Sequence, residues 1–166
     1  MPYHQLFYHV VWSTKHREPI LKDQIETIIH KYLRNKSLTL EATIFALNGY
    51  LDHVHLVVTI PPKIAVAKFI GQIKAVASFR LNKEHPEYAT FSWQDEYAVF
   101  SFDRKRLKDH VDYVERQKEH HQERTIIPIL ETVPDQPGHI IKEPKEEYIA
   151  EDWEEQLSRL SLPMNL

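Results

Sequence analysis

A chain of 166 residues, 42% hydrophobic and 27% charged, is long enough for one compact domain with a real core and too short for two ordinary ones. The absence of cysteine excludes a disulfide framework, a thiol nucleophile and a cysteine-ligated zinc finger, and it fits a reducing cytoplasm. The net charge of −3 hides an uneven layout: residues from Glu131 onward carry nine acidic and three basic side chains, whereas the first 130 carry 18 basic and 15 acidic. Residues Met1 to Val10 lack the basic-then-apolar order of a signal peptide, and no apolar run approaches the ~18 residues that span a bilayer. A cytoplasmic protein without membrane contact is therefore expected.

Tyr3 to Thr14 (YHQLFYHVVWST) is rich in aromatic and β-branched residues and predicts a buried strand. Leu21, Ile25, Ile28, Ile29 and Tyr32 then recur at helical spacing and predict a helix over 21–36. Thr39 to Gly49 and Leu51 to Ile60 read as two strands joined by a short connection, hence an antiparallel hairpin closed by Pro61-Pro62. Residues 64–83 return to helical period, with Val66, Phe69, Ile70, Ile73, Val76 and Ala77 on one stripe. A loop entering a strand follows at 91–102, and the charge-dense stretch 104–124 predicts one continuous helix. The order β-α-β-β-α-β-α predicts an α+β fold in which helices cover an antiparallel sheet. Beyond Glu131, Pro134, Pro137, Gly138 and Pro144 mark a linker, and Ile149, Trp153, Leu157 and Leu160 suggest a short amphipathic helix. The domain is thus placed at residues 1–131 and the acidic extension at 132–166.

Two groups of residues could carry chemistry. In Asp52-His53-Val54-His55, side chains alternate along a strand, so His53 and His55 share one face while Val54 takes the other. Two imidazoles so placed can begin a divalent-metal site or can simply be two half-buried histidines. Tyr113 and Gln117 stand four residues apart on the predicted helix, where Gln117 offers a neutral oxygen ligand. Tyr113 is either a packing residue or a nucleophile. With an ordinary pKa of about 10 it needs a nearby cation to favour its phenolate.

Taken together, LDHVHLVV (51–58) and DYVERQKEHH (112–121) resemble the single-tyrosine HUH transposases of the insertion-sequence 200/605 class, above all their REP-associated branch. HVVWSTKHR (9–17), IKAVASFRL and FSWQDEYAVFSF extend the resemblance over residues 3 to about 130. It implies a ferredoxin-like sheet-and-helix fold and a metal, Mg²⁺ or Mn²⁺, held by His53, His55 and Gln117. It also implies that Tyr113 forms a 5′-phosphotyrosyl bond with single-stranded DNA near a hairpin and leaves a free 3′-hydroxyl. Mobile-element members pair as dimers that can exchange tyrosines, so a homodimer is a possible state. Glu96 departs from the pattern, standing where a glycine is expected before Tyr97. His120 and His121 fit the pattern, but as adjacent helical residues they cannot both face the metal and stay outside the ligand set.

Lys15, Arg17, Lys74, Arg80, Arg104, Lys105 and Arg106 are the candidate phosphate contacts, which would give salt-sensitive affinity and little sequence information. Trp93 and Tyr97 could stack on unpaired bases or pack in the core. Two rival functions remain: a hairpin-binding relative without turnover, and a metal-dependent hydrolase that activates water and leaves no protein on the DNA.

Overall fold

The computed structural model describes residues 3–131 and 133, all within one compact unit. The proposed linker and the segment around Trp153 lie outside them. Four antiparallel strands form one sheet in the order β2-β3-β1-β4. They are β1 (Phe7–Ser13), β2 (Thr43–Gly49), β3 (His53–Thr59) and β4 (Ala98–Phe102). Helices α1 (Asp23–Thr39) and α2 (Val66–Glu84) fill the connections β1 to β2 and β3 to β4. The result is the expected α+β, ferredoxin-like arrangement. Two boundaries moved: α1 runs on through Thr39, and the strand expected from Thr39 begins only at Thr43.

The central strands are buried on both sides because both sides are covered. Val10 and Trp12 of β1 join Val54, Leu56 and Val58 of β3 against Ile25, Ile29 and Leu33 of α1 and Phe69, Ile70, Ile73 and Ala77 of α2. Complete burial of each such aliphatic or Phe side chain stabilises the fold by about 1.5–3 kcal/mol. On the opposite face Ala46 and Val57 meet Val114 of helix α3 (Leu107–Glu115). This second cluster is small because His9, His53 and His55, all buried, occupy the rest of that face. Three buried histidines thus stand where apolar side chains would otherwise pack.

The continuous helix expected over 104–124 is divided. Asp103 caps a 3-10 turn at Arg104–Arg106, its carboxylate accepting from the backbone N–H groups of Lys105 and Arg106. Then α3 ends at Glu115, and Arg116 (φ −99°, ψ 21°) separates it from α4 (Gln117–Glu123). The break contains neither Gly nor Pro. Strand β2 holds it instead: Asn48 Nδ2 donates to the Glu115 carbonyl at 3.0 Å, and Lys118 Nζ of α4 donates to Asn48 Oδ1 at 2.8 Å.

Candidate active site

The histidine pair is placed by strand register. His53 pairs with Ser13, His55 with Val11 and His9 with Val57, so His9 and His55 are diagonal neighbours on the α3 face. The turn before β3 is tight, with Tyr50 N–H donating to the His53 carbonyl at 3.1 Å. It also fixes Asp52, whose Oδ1 lies 2.7 Å from His53 Nδ1 while its Oδ2 accepts from Arg17 Nε at 3.0 Å. A carboxylate behind Nδ1 holds the proton there and leaves Nε2 facing inward, the usual outer support of a metal-binding histidine.

Tyr113 reaches this face from α3. Its ring centroid lies 5.9 Å from that of His55, edge to face, and His120 stacks on its other side at 4.8 Å. Beyond α4, Arg124 adopts the left-handed conformation (φ 58°) that commonly ends a helix and reverses the chain. The returning segment lies across the tyrosine: Ile127 N–H donates to Tyr113 Oη at 3.0 Å, and the short helical turn Pro128–Glu131 (α5) delivers Glu131.

Glu131 is the centre of the site. Its Oε1 accepts from the Tyr113 hydroxyl, and its Oε2 lies 3.0 Å from His53 Nε2, 3.3 Å from His55 Nε2 and 3.5 Å from His121 Nε2. The contact with His53 has the distance of an ion pair without hydrogen-bond geometry, so its Nε2 has no hydrogen-bond partner. Burial opposes the charged carboxylate, but the nearby His53 and the hydrogen bonds from His55 and Tyr113 hold Glu131 well below the usual carboxylate range. Burial also disfavours a charged His53, yet Asp52 and Glu131 together raise it to about 9. His55 is lowered, chiefly by burial, which outweighs the pull of Glu131. Tyr113 is pushed up to about 12, first by burial and then by its bond to Glu131. In this arrangement the tyrosine keeps its proton.

The donor set suits a divalent ion. One atom each from His53, His55 and Glu131 lies within 4.8 Å of the others, and imidazole with carboxylate is a donor mixture such ions accept. Gln117 is fully buried, and its Oε1 has no hydrogen-bond partner, as is also true of His121 Nε2. An unpaired buried amide oxygen is costly unless something arrives to use it. Gln117 Nε2 sits against the Tyr113 carbonyl at 3.5 Å, so tyrosine and glutamine are neighbours despite the helix break between them.

The expected phosphate contacts divide into two groups. Lys15, Arg104, Lys105 and Arg106 are exposed. Arg17 is tied to Asp52, and Arg80 is paired with Glu84 at 2.9 Å while lying over the Tyr32 ring. Lys74 is only 7% exposed, and its ammonium donates to the carbonyls of Gln94 at 2.7 Å and Asp95 at 3.2 Å. Burial lowers it to about 8 against the pull of Asp95 and Glu96. As placed, Lys74 braces the 94–96 loop from within. Trp93 is a core residue, packed edge-on to Trp12 and donating to the Lys74 carbonyl at 3.0 Å.

Sequence reasoning missed Glu131, Asp52, His9 and His110 as parts of the site and set His121 aside. His9 had a signal, since in the first strand it alternates onto the same face as Val11 and Ser13. Glu131 had none: it lies 14 positions beyond Gln117, at the last position of the predicted domain and outside every motif.

The family model for "Transposase IS200 like" matches residues 2–117. The ISDra2 transposase TnpA of Deinococcus radiodurans is 22% identical over 119 residues, covering 69% of this chain and 85% of that protein. The transposase for insertion sequence element IS200 of Salmonella typhimurium is 27% identical over 77 residues, 46% of this chain and 51% of its own length. Among solved structures, a candidate transposase from Deinococcus radiodurans superposes with TM-score 0.56 at 23% identity, over 70% of this chain and 93% of that one. A REP-associated tyrosine transposase bound to a REP hairpin gives the same TM-score of 0.56 at 17% identity, over 73% and 72% of the two chains. At these identities the structures speak for the fold, and the family model, covering most of the described domain, speaks for descent. The chain belongs to the IS200-like transposase family.

Proposed function

We propose that this transposase nicks and rejoins single-stranded DNA beside a hairpin, with Tyr113 as the covalent nucleophile and a divalent ion, Mg²⁺ or Mn²⁺, held at His53 and His55. One observation carries the reading: a single carboxylate, Glu131, joins the Tyr113 hydroxyl to both histidines within one chain. Isolated helical tyrosines have no such connection. A site assembled from one chain needs no second subunit to bring tyrosine to histidine, whether or not the protein forms a homodimer.

The chemistry follows from the groups present. The Tyr113 oxygen attacks phosphorus, its proton passing to Glu131 Oε1, as the O3′–P bond breaks and O3′ takes up a proton. The products are a 5′-phosphotyrosyl bond and a free 3′-hydroxyl. Attack by another 3′-hydroxyl reverses the step, so strands rejoin without external energy. A divalent ion bound by His53, His55, Glu131 and the orphaned Gln117 oxygen would favour the phenolate and offset charge on the phosphate. Because Tyr113 is 5% exposed, the turn at Ile127, whose N–H donates to the Tyr113 hydroxyl, must move aside for a phosphodiester to reach it while Glu131 keeps its place. Lys15 and Arg104 to Arg106 supply exposed positive charge for the backbone. The hairpin bound by the REP-associated neighbour supports the same substrate class here.

The test is a labelled single-stranded hairpin library incubated with Mn²⁺ and resolved on a denaturing gel. A protein–DNA adduct should form and should vanish with Tyr113→Phe or a chelator. Cutting without an adduct would point instead to a hydrolase, and binding without cutting to a domesticated hairpin binder.

A further inference from the structure

Behind His55 lies a second buried contact that the proposed chemistry does not use. His9 Nε2 is 2.8 Å from His55 Nδ1, and His9 Nδ1 is 2.8 Å from His110 Nδ1. The ring centroids lie 5.1 Å apart in both pairs and the rings cross at 71° and 76°, so each meets its neighbour edge-on. His9 is 0% exposed, which leaves the two histidines as the partners of its two nitrogens. His110 is held in turn by stacking on Phe102 of β4 at 3.9 Å. His110 also stands one helical turn before Tyr113 on α3.

Each nitrogen–nitrogen contact requires one hydrogen, and each neutral imidazole carries one N–H. If His9 is neutral it can donate across only one of its two contacts, so the three rings must be ordered in the same direction. Two registers satisfy this. In the inward one, His110 donates to His9, His9 donates to His55, and His55 Nε2–H faces Glu131. In the outward one, His55 Nδ1–H donates to His9 Nε2, His9 Nδ1–H donates to His110 Nδ1, and His110 Nε2–H points away. Only the outward register leaves a lone pair on His55 Nε2.

We propose that His9 is a positioning residue that sets the His55 tautomer and, through His110, ties it to the helix carrying Tyr113. In the outward register it stands behind His55 Nδ1 as Asp52 stands behind His53 Nδ1, with a neutral ring in place of a carboxylate. The inference rests on the reading of His55 as a metal ligand. Outer partners of ligating histidines commonly change metal affinity by about 10- to 100-fold.

Two measurements test it without DNA or turnover. In ¹⁵N-histidine-labelled wild-type protein loaded with Mg²⁺, long-range ¹H–¹⁵N spectra should show His55 and His9 as Nδ1–H and His110 as Nε2–H. Finding His9 as Nε2–H in the loaded protein overturns the proposal, with no variant needed. Separately, Mn²⁺ titration should show His9→Leu binding about tenfold or more weakly. His9→Gln, whose Oε1 can still accept from His55, should recover most of that loss. Equal affinity in wild type and His9→Leu overturns the positioning role. A wild-type protein that binds neither ion fails earlier, at the metal centre itself, and so is distinguishable.

Discussion

Glu131 Oε1 holds the Tyr113 hydroxyl, and its Oε2 faces the inner nitrogens of three histidines. Its replacement therefore has two separable consequences. Glu131→Gln should weaken Mn²⁺ binding by about tenfold, read by calorimetric titration, because a neutral amide is a poorer ligand than a carboxylate. It should also bring the Tyr113 ionisation down from about 12, since the bond to Glu131 adds to the effect of burial. Ultraviolet titration compared with Tyr113→Phe isolates that one phenol, and an unmoved midpoint would remove Glu131 as its partner. Away from the site, His30 on α1 offers a clean pH test. Burial, with Lys118 and Arg34 nearby, lowers it from 6.5 to about 4. Between those values the unfolded chain binds a proton that the folded one refuses, so stability falls as pH drops from about 6.5 toward 4. His30→Gln should flatten that part of the acid limb by up to about 3 kcal/mol in urea unfolding. An unchanged slope relative to wild type would mean that His30 charges freely in the fold.

The hairpin β2–β3 and the divided helix α3–α4 are the elements that set the site's geometry. Gly49 closes β2 directly opposite the start of β3, and a Cβ there would run into the His53 carbonyl and crowd the Val54 backbone. The obstacle is main chain and cannot swing aside. Gly49→Ala should cost about 1–3 kcal/mol by denaturant unfolding and should weaken Mn²⁺ binding, because any relief of the clash shifts the backbone of His53, a proposed ligand. Wild-type stability in that variant would show the turn to be softer than its hydrogen bonds suggest. The hairpin was legible from alternation and the Pro61-Pro62 stop. The helix break was not. Every residue from 107 to 123 is compatible with a helix, and the interruption at Arg116 comes from Asn48 and Lys118, whose partners lie some 70 positions away. Local propensity carries no record of a contact that distant. The i to i+4 spacing pointed to Tyr113 and Gln117 as neighbours, and they are neighbours across the break.

For the molecule as a whole, charge divides the chain near Glu131. The excess of acidic residues after that position opposes the basic balance of the first 130. If that acidity competes with DNA for Lys15 and Arg104 to Arg106, a chain shortened by residues 137–166 should bind hairpin DNA more tightly at low salt and equally at high salt. Unchanged or weaker low-salt affinity in a filter-binding assay would sink the idea. The sequence by itself determined the strand and helix order, the shared face of His53 and His55, and Tyr113 as the residue to place beside them. All of these come from periodicities of two and 3.6 residues or from motifs local in the chain. Tertiary structure alone decided that Glu131 returns to close the site, that Lys74 turns inward, and that His9 and His110 stand behind His55. Those outcomes depend on strand register and on a chain reversal at Arg124, which join residues 9, 55, 110 and 131 through contacts that no local pattern encodes.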